Sequence, residues 1–493
     1  MNITRSNFLK SAGATALGLM LPELSSPLPV DAASLPDLVP GNLPDTEELW
    51  RWMKQLADWC PAYTGSPSHV AFVNFLDQEL RKSKLTPQRK TFTLPRWELK
   101  GYGIKSGGES IHAASYRPYS GATSPNGVTA PLYYAGQDPK LDYSGAAGKI
   151  VLIEMRPALD RSGGELQGSL VGTYPANTPL PNVRYGVIGV YRFTPDIKPL
   201  EKAGAAGAIY IWNNISDANA EDQALPFSAA STSVPALWVN ATQGKRLKQL
   251  AANGASASLT LDAVSHPDTP TDNLWAVLPG KTDETIIINT HTDGCNACEE
   301  NGGLGVVALA RYFSRVPLAQ RNRTLVFLLT TGHFAHGYVR GTQDWRDTNP
   351  GLMKKAVACV TIEHLGANEW VDNAAANEYK PTGQFDWGVA YTPIEAEGTV
   401  FLQAADGTEA RNTYAFKPAA SYPGEGAGFW AAGIPTISYI PSPQFLFIAP
   451  AKGGGLEKLD KRRFHGEVTT MARCVAALDK MSIAEIKGAP KAG

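Results

Sequence analysis

One histidine and three carboxylic acids follow an apolar segment of the chain at spacings that suit metal chemistry. The segment, residues 285–288, predicts a buried β-strand, and His291, Asp293, Glu299 and Glu300 come soon after it. Binding sites of α/β sheets lie beyond the carboxyl ends of the strands. Neutral imidazole and carboxylate oxygen are zinc ligands, and an acid two residues after a histidine can orient its ring. The spacing therefore predicts a metal site; the alternative is a polar strand end that satisfies turn amides.

Hydrophobic periodicity predicts the elements that position these residues. Strands are expected at 273–279, 285–290, 324–330 and 357–363, and a helix is expected at 303–314. Strands that alternate with helices indicate a doubly wound α/β domain, with a mostly parallel sheet and helices on both faces.

Other regions of the chain have a different pattern. Amphipathic segments at 46–59 and 69–85 predict two helices in the N-terminal part. Further along, short strands separated by turns predict a β-rich insert. Its strands are expected at 128–134, 149–154, 208–212, 236–239 and 257–261. We therefore divide the mature chain into an N-terminal part at 35–118, an insert at 119–265, and a remainder at 266–493 that carries the metal site.

The composition excludes two classes of partner. The chain has 493 residues, a net charge of −1 and 18% charged residues. This balance argues against a nucleic-acid partner and against a polybasic membrane-binding surface. The length exceeds that of one typical domain core, so two or three domains are expected.

The first 34 residues predict an export signal. A charged segment at 4–10 precedes an apolar segment at 12–21 that is too short to span a membrane. The charged segment resembles a twin-arginine signal in which Ser6 takes the place of the second arginine. The mature protein is therefore expected in the periplasm or outside the cell, without membrane attachment once the signal is removed.

The cysteines do not form a disulfide scaffold, because the chain has five of them and an odd number cannot all pair. Cys295 and Cys298 form a lone CxxC motif beside the predicted metal site. Neither a second CxxC nor a histidine pair completes a set of four zinc ligands. The expected state of this motif is therefore a local disulfide or two free thiols.

These segments, in this order, resemble the co-catalytic zinc aminopeptidases, family 28 of the metallopeptidases. Residues 63–69 resemble an N-terminal segment of that family, and residues 148–152 and 202–209 resemble its protease-associated insert. Residues 433–435, Gly-Ile-Pro, resemble a segment near its C-terminus. The resemblance covers most of the mature chain. It implies a zinc-peptidase α/β fold with an inserted protease-associated domain, and action on a peptide or small amide.

The resemblance also implies metal ligands. The His-x-Asp motif of the family matches His291 and Asp293, which implies a zinc ligand and the acid that orients it. Glu300 stands where the family has a bridging aspartate, and Glu299 takes that place if the loop is shifted by one residue. Glu363 stands at the end of the next ligand-bearing strand.

The second zinc site of the family is altered in this chain. His333 and Phe334 stand where the family has two glutamates, and phenylalanine cannot bind zinc. His336 takes that ligand position only if the alignment is shifted. The final histidine ligand of the family is missing after residues 433–435. The second metal site is therefore expected to lack at least one ligand.

One zinc ion is expected, with His291, Glu300 and Glu363 as ligands and an open position for water. Zinc at such a site lowers the pKa of its bound water to about 7. His364 faces away from the site if its strand continues, so Glu363 is favoured over it.

Other polar side chains near this site have expected roles in catalysis. His333 is expected to act as the general base, because histidine titrates near neutrality. Asp293 would orient His291, and His336 would bind the substrate and assist the leaving group. Glu425 is expected to bind a substrate amine; the alternative is a solvated loop acid.

The sequence therefore favours an exported, zinc-dependent hydrolase that cleaves peptide or other amide bonds. Four of the eight histidines lie between residues 291 and 364, which supports a functional cluster. One alternative is a catalytically inactive binding protein that keeps the peptidase fold. The other is a single-zinc enzyme of the cyclase or amidohydrolase kind. The oligomeric state is left open.

Overall fold

The computed structural model describes residues 35–157, 159–161, 163–185, 194–223, 231–335, 337–418, 422–450 and 452–488. The predicted export signal, residues 1–34, lies outside the described residues, so export stays a prediction. Among the helices that the structure describes, none combines the length and the apolar character needed to cross a membrane.

The two predicted N-terminal helices are present, capped by the side chains of Asp45 and Ser66. The described α-helices are, in chain order, α1 (Thr46–Trp59), α2 (Pro67–Lys82), α3 (Lys198–Lys202), α4 (Asp217–Ala220), α5 (Ala241–Ala252), α6 (Gly302–Ser314), α7 (Gly341–Thr348), α8 (Pro350–Lys355), α9 (Glu395–Ala405), α10 (Ala427–Ala431), α11 (Lys461–Lys480) and α12 (Ile483–Ile486). Short 3-10 helices lie at Gly163–Glu165, Gln167–Ser169, Leu318–Gln320 and Gly453–Lys458.

The described strands are, in chain order, β1 (Gln88–Ser106), β2 (Glu109–Ile111), β3 (Ser115–Tyr116), β4 (Val128–Gln137), β5 (Lys140–Leu141), β6 (Ile150–Glu154), β7 (Leu159–Arg161), β8 (Leu170–Tyr174), β9 (Val183–Tyr185), β10 (Gly207–Ile211), β11 (Ala236–Val239), β12 (Ser256–Leu278), β13 (Thr285–His291), β14 (Thr324–Thr330), β15 (Ala356–Ile362), β16 (Asn368–Asn373), β17 (Glu378–Phe385), β18 (Gly388–Tyr391), β19 (Thr413–Phe416) and β20 (Thr436–Tyr439).

Parallel strands in the order β14, β13, β15 and β20 form the centre of the largest sheet. β13 is buried along its whole length, as expected for a strand covered on both faces. Ile286 and Ile288 pack in a core shared with α1, α2, α6 and α11. Ile287 points to the other face and packs in a core with Trp345 of α7 and Phe429 of α10. The predicted doubly wound α/β fold, with helices on both faces, is confirmed.

One long strand, β12, crosses from one part of this sheet to the other. It spans 23 residues and pairs with β1 over most of its length. Residues 274–278 also pair with β14, and residues 256–259 pair with β4. The sequence predicted two strands, at 257–261 and 273–279, and the structure corrects them to one. The polar residues between them stay extended because β1 pairs with their backbone, which does not depend on side-chain polarity.

Four strands of the predicted insert and β3, which lies just before it, form their own part of the sheet, in the order β3, β11, β10, β6 and β4. One face of this part packs in a separate core, and the other face packs in the core of the central strands. β8 also lies within 119–265, but it pairs with β19 at the opposite end of the sheet. The boundaries of the insert and its protease-associated character stay predictions.

Candidate metal centre

The candidate site lies where β13 and β15 end side by side. The two strands are parallel neighbours, with Asn289 opposite Thr361. Parallel strands present their carboxyl ends at one edge of a sheet, so the residues that follow them come together there. His291 is the last residue of β13, and Glu363 directly follows β15.

Three buried side chains bring metal-binding atoms to this edge. The donor atoms of His291, Glu299 and His364 lie within 4.8 Å of one another, and His364 Nε2 lies 3.6 Å from Glu299 Oε1. Glu363 adds a further donor, because its Oε2 lies 3.9 Å from His291 Nε2 and 3.8 Å from His364 Nε2. Ligand atoms about 2.0–2.1 Å from a tetrahedral zinc ion lie about 3.4 Å apart. These four side chains, which we call the donor cluster, therefore need only small adjustments to hold zinc.

Hydrogen bonds leave one nitrogen of each histidine free to bind a metal. His291 Nδ1 donates to the backbone oxygen of Asp293 at 3.0 Å, and His364 Nδ1 donates to that of Pro441 at 2.7 Å. A neutral ring that donates from Nδ1 carries a lone pair on Nε2. Within the part of the chain that the structure describes, neither Nε2 atom and neither carboxylate oxygen of Glu299 has a hydrogen-bond partner. Buried polar atoms are almost always paired, so these residues fit a metal ion.

The histidines of the donor cluster are neutral, as a cation requires, and its carboxyls would ionise when a cation binds. Burial lowers the pKa of His291 well below its ordinary value and that of His364 to about 3, so both rings are neutral near pH 7. Burial and the neighbouring Glu363 and Glu300 carboxyls raise the pKa of Glu299 well above its ordinary value. Burial likewise raises the pKa of Glu363 to about 7. A metal ion would reverse these carboxyl shifts, because a nearby positive charge favours the ionised form.

Glu299 and Glu300 are adjacent in sequence but have different surroundings. Glu300 accepts a hydrogen bond from the Sγ atom of Cys60 at 2.8 Å. Gly294 provides the space that Glu299 uses, because a Cβ atom at Gly294 would lie 2.6 Å from Glu299 Oε2. The structure therefore places Glu299 beside the histidines. Glu299 was the predicted ligand only if the loop is shifted by one residue, and Glu300, the preferred one, does not reach them.

His364 reaches the cluster because β15 ends before it. The strand stops at Ile362, and His364 has a φ of 58°, a left-handed conformation that turns the chain. The expectation that His364 faces away assumed a continuing strand, and it is corrected here. Gly366, which also has a positive φ, was the signal in the sequence for a turn at this point.

The carboxylate of Asp293 supports the loop that carries His333. It accepts hydrogen bonds from the backbone N–H groups of Gly332 at 3.1 Å and Phe334 at 2.7 Å. The hydroxyl of Thr64 donates to the same carboxylate at 2.5 Å. The carboxylate of Asp293 was expected to orient the neighbouring metal-binding histidine, and its backbone oxygen makes that contact instead.

His333 and Glu425 form a hydrogen-bonded pair beside the donor cluster. The His333 ring stacks on the His291 ring, with 4.0 Å between centroids. His333 Nδ1 donates to Glu425 Oε1 at 2.9 Å, and His333 Nε2 lies 3.7 Å from Glu299 Oε1. The hydroxyl of Thr342 donates to the other oxygen of Glu425. The structure therefore brings together His333 and Glu425, which the sequence suggested separately.

The hydrogen bond between His333 and Glu425 raises the pKa of the histidine and lowers that of the glutamate, and the pair lies on the solvent side of the cluster. Burial alone would lower the pKa of His333, but the hydrogen bond and negative charge of Glu425 raise it. Burial also opposes ionisation of Glu425, yet the hydrogen bond and positive charge of His333 hold its pKa at about 2. The side chains of His333 and Glu425 are 19% and 16% exposed, whereas that of His291 is 1% exposed.

Phe334 and the CxxC motif add no donor to the metal-binding group found among the described residues. Phe334 is buried and packs against Tyr63, with 6.1 Å between ring centroids. Cys295 and Cys298 are buried free thiols, one of the two states expected. His336 lies outside the described residues, so its predicted role stays a prediction.

Comparison with known proteins gives matches among solved structures only. No family model matches the chain, and no curated protein matches it in sequence. A peptidase M28 precursor from Shewanella amazonensis SB2B matches with a TM-score of 0.62 and 14% identity, over 91% of this chain and 96% of that chain. A zinc aminopeptidase from Bacillus subtilis matches with a TM-score of 0.61 and 17% identity, over 90% of this chain and 98% of that chain. The chain has the zinc aminopeptidase fold.

An aminopeptidase from Aneurinibacillus sp. strain AM-1 shows the same zinc aminopeptidase fold. It matches with a TM-score of 0.57 and 18% identity, over 87% of this chain and 93% of that chain. The fold implied by the sequence resemblance is thus confirmed across most of the chain. Within the zinc aminopeptidase fold of this protein, the donor cluster occupies the carboxyl edge of the central parallel strands.

Proposed function

We propose that this protein is a hydrolase that uses one zinc ion to cleave an amide bond. The observation that carries the proposal is the convergence of His291, Glu299 and His364, whose inward atoms have no hydrogen-bond partner within the described chain. Glu363, 3.9 Å from the nearest atom of His291, would be a fourth protein ligand, and water would then bind at a fifth position, a coordination number that catalytic zinc can reach. Two imidazoles with a carboxylate are a donor set that proteins use for catalytic zinc.

In this proposal His333 holds and moves the proton. When bound, zinc supplies a Lewis acid and a water molecule of lowered pKa, which suits attack on an amide carbonyl. His333 Nε2 faces the cluster, 3.7 Å from Glu299 Oε1. Because Glu425 would balance the positive charge that the ring gains, the neutral His333 ring can take a proton from water on Nε2 and pass it to the leaving amine.

Glu425 is a positioning partner of His333 in this proposal. The sequence suggested that Glu425 binds a substrate amine, but both of its carboxylate oxygens already accept hydrogen bonds, from His333 and Thr342. Its backbone N–H also donates to Glu363 Oε1 at 2.9 Å. Glu425 therefore supports the proton-carrying histidine and a metal ligand at the same time.

The proposed substrate is a peptide or another small amide. The metal ligands are buried and the more exposed His333 and Glu425 lie beside them, which favours a small group that enters past this pair. The fold shared with solved aminopeptidases supports the same class of bond. The net charge of −1 supports the absence of a nucleic-acid partner.

Metal content is the decisive measurement. Protein purified without chelator would be analysed for bound zinc, together with His291→Ala and His364→Ala. A matched control is His465→Ala, which changes a half-buried histidine of α11 outside the donor cluster. We expect about one zinc per chain in the parent and in His465→Ala, and a loss of zinc in the other two variants.

A screen of aminoacyl and N-acyl anilides with the zinc-loaded protein would then test hydrolysis. Release of aniline that disappears with His291→Ala supports the proposal. A parent that binds zinc but hydrolyses none of these amides contradicts hydrolysis and favours a binding protein. A parent that takes up no zinc contradicts the metal site itself.

A further inference from the structure

Asn301 joins the two segments that carry the proposed metal ligands. Its Nδ2 atom donates to the backbone oxygen of Leu365 at 2.8 Å, and its Oδ1 atom accepts from the backbone N–H of Leu365 at 2.8 Å. In the sequence Glu299 lies shortly before Asn301, and His364 directly precedes Leu365. One buried amide therefore ties the Glu299 segment to the His364 segment through two hydrogen bonds.

The position of Asn301 at the start of α6 does not explain why its side chain is an amide. Asparagine is favoured at a helix N-cap because its side-chain oxygen accepts a hydrogen bond from the first turn. Asn301 is the N-cap of α6 but makes no such bond. The fully buried amide is directed instead at the backbone beyond β15.

The backbone beyond β15 has an unusual conformation that needs support. His364 and Gly366 have φ values of 58° and 82°. Glu467 accepts a hydrogen bond from the N–H of Gly366 at 2.6 Å, which anchors this turn to α11. Between the two, both backbone hydrogen-bonding groups of Leu365 pair with the side chain of Asn301.

We propose that Asn301 is a positioning residue that sets the distance between Glu299 and His364 before the metal binds. This inference rests on the proposed function, because it takes both residues as zinc ligands. The two hydrogen bonds of Asn301 resist the separation of the segments, so the donor cluster is assembled in advance.

The test is the zinc affinity of Asn301→Asp and Asn301→Ala, measured by competition with a fluorescent chelator. The aspartate variant keeps the size of the side chain and the acceptor for Leu365 N–H, but places an oxygen against the Leu365 carbonyl. Loss of an outer contact that orients ligands typically weakens metal binding by about 10–100-fold. We expect a loss in this range for both variants, larger for Asn301→Ala.

A control separates this effect from loss of stability. Asp479 accepts hydrogen bonds from the backbone N–H groups of Asn322 at 3.0 Å and Arg323 at 2.7 Å, at the start of β14 and away from the carboxyl edge. Asp479→Ala is therefore expected to lower the melting temperature of the metal-free protein without changing its zinc affinity.

The possible results are distinguishable. Asn301 variants that bind zinc within about twofold of the parent would overturn the positioning role while leaving the proposed function intact. A parent that binds no zinc would overturn both proposals. If Asn301→Ala does not fold, the affinity of Asn301→Asp relative to Asp479→Ala decides the question.

Discussion

At the scale of single residues, side chains that are adjacent in the sequence do not share the same surroundings or directions in this site. Glu299 faces two histidines, whereas Glu300 accepts a hydrogen bond from Cys60. Glu363 and His364 would point in opposite directions on a strand, yet both face the cluster because the chain turns at His364. The chemistry of the site therefore depends on backbone turns as much as on residue types.

The two adjacent glutamates provide a direct test of this difference. Glu299→Gln removes the negative charge from the donor cluster and is expected to weaken zinc binding by at least about 100-fold, more than loss of an outer contact. Glu300→Gln keeps an oxygen that can accept from Cys60 and is expected to change zinc affinity by less than about threefold. Competition with a chelator measures both. Equal losses in the two variants would contradict the assignment of Glu299.

The sequence predicts part of this site and misses part of it for a physical reason. His291 lies at a strand end, where hydrophobic periodicity and chain direction determine its position. Glu299 and His364 lie in turns, where the direction of a side chain depends on individual φ and ψ values that the sequence does not specify. The pairing of His333 with Glu425 joins loops distant in the chain, so a single sequence gives no signal for it.

At the scale of elements, the site requires close contact between α6 and the ends of two strands. Gly302, the first residue of α6, packs directly on β15: a Cβ atom there would lie 2.1 Å from the backbone oxygen of Ile362 and 2.3 Å from Thr290 Oγ1. A helix that begins with a larger residue could not approach the strand ends this closely.

Gly302→Ala is therefore expected to destabilise the protein, although alanine favours a helix. Overpacking of this kind costs about 1–3 kcal/mol in the free energy of unfolding. Gly351 of α8 is the matched control, because nothing lies within 4 Å of its Cβ position. Gly351→Ala is expected to be neutral or stabilising by up to about 1 kcal/mol. Urea denaturation measures both, and a Gly302→Ala variant as stable as the parent would contradict the close packing.

Elements with a clear hydrophobic period are predicted well from this sequence. The helix predicted at 46–59 and the strand predicted at 324–330 match α1 and β14 in full. The length of β12 was not predicted, because its middle is polar and exposed and its extension depends on pairing with β1. Long-range pairing of this kind leaves no periodic signal in the strand itself.

At the scale of the whole molecule, metal binding is coupled to stability. Zinc that binds only the folded state stabilises it by about 2.7 kcal/mol at a free concentration 100 times the dissociation constant. The effect should depend on pH. In the metal-free protein the pKa of Glu363 is about 7, so this carboxyl is protonated below pH 7 and protons compete with zinc.

Zinc is therefore expected to raise the melting temperature more at pH 8 than at pH 6. Protonation of Glu363 alone weakens zinc binding by about tenfold at pH 6, or about 1.4 kcal/mol. Differential scanning calorimetry at both pH values, with and without zinc, measures the difference. Glu363→Gln is the control, since it should remove the part of the pH dependence that Glu363 contributes. A larger effect of zinc at pH 6 would contradict this account.

The path of β8 determines how separable the parts of the molecule are. The chain leaves the β4–β6–β10 region, contributes β8 beside β19 at the far end of the sheet, and then returns to β10. A fragment cut at residues 119 and 265 would carry away a strand that belongs to the other part and leave β19 with an open edge. The predicted insert is therefore not an interchangeable module, and its gain or loss during evolution would have to rebuild the far edge of the sheet.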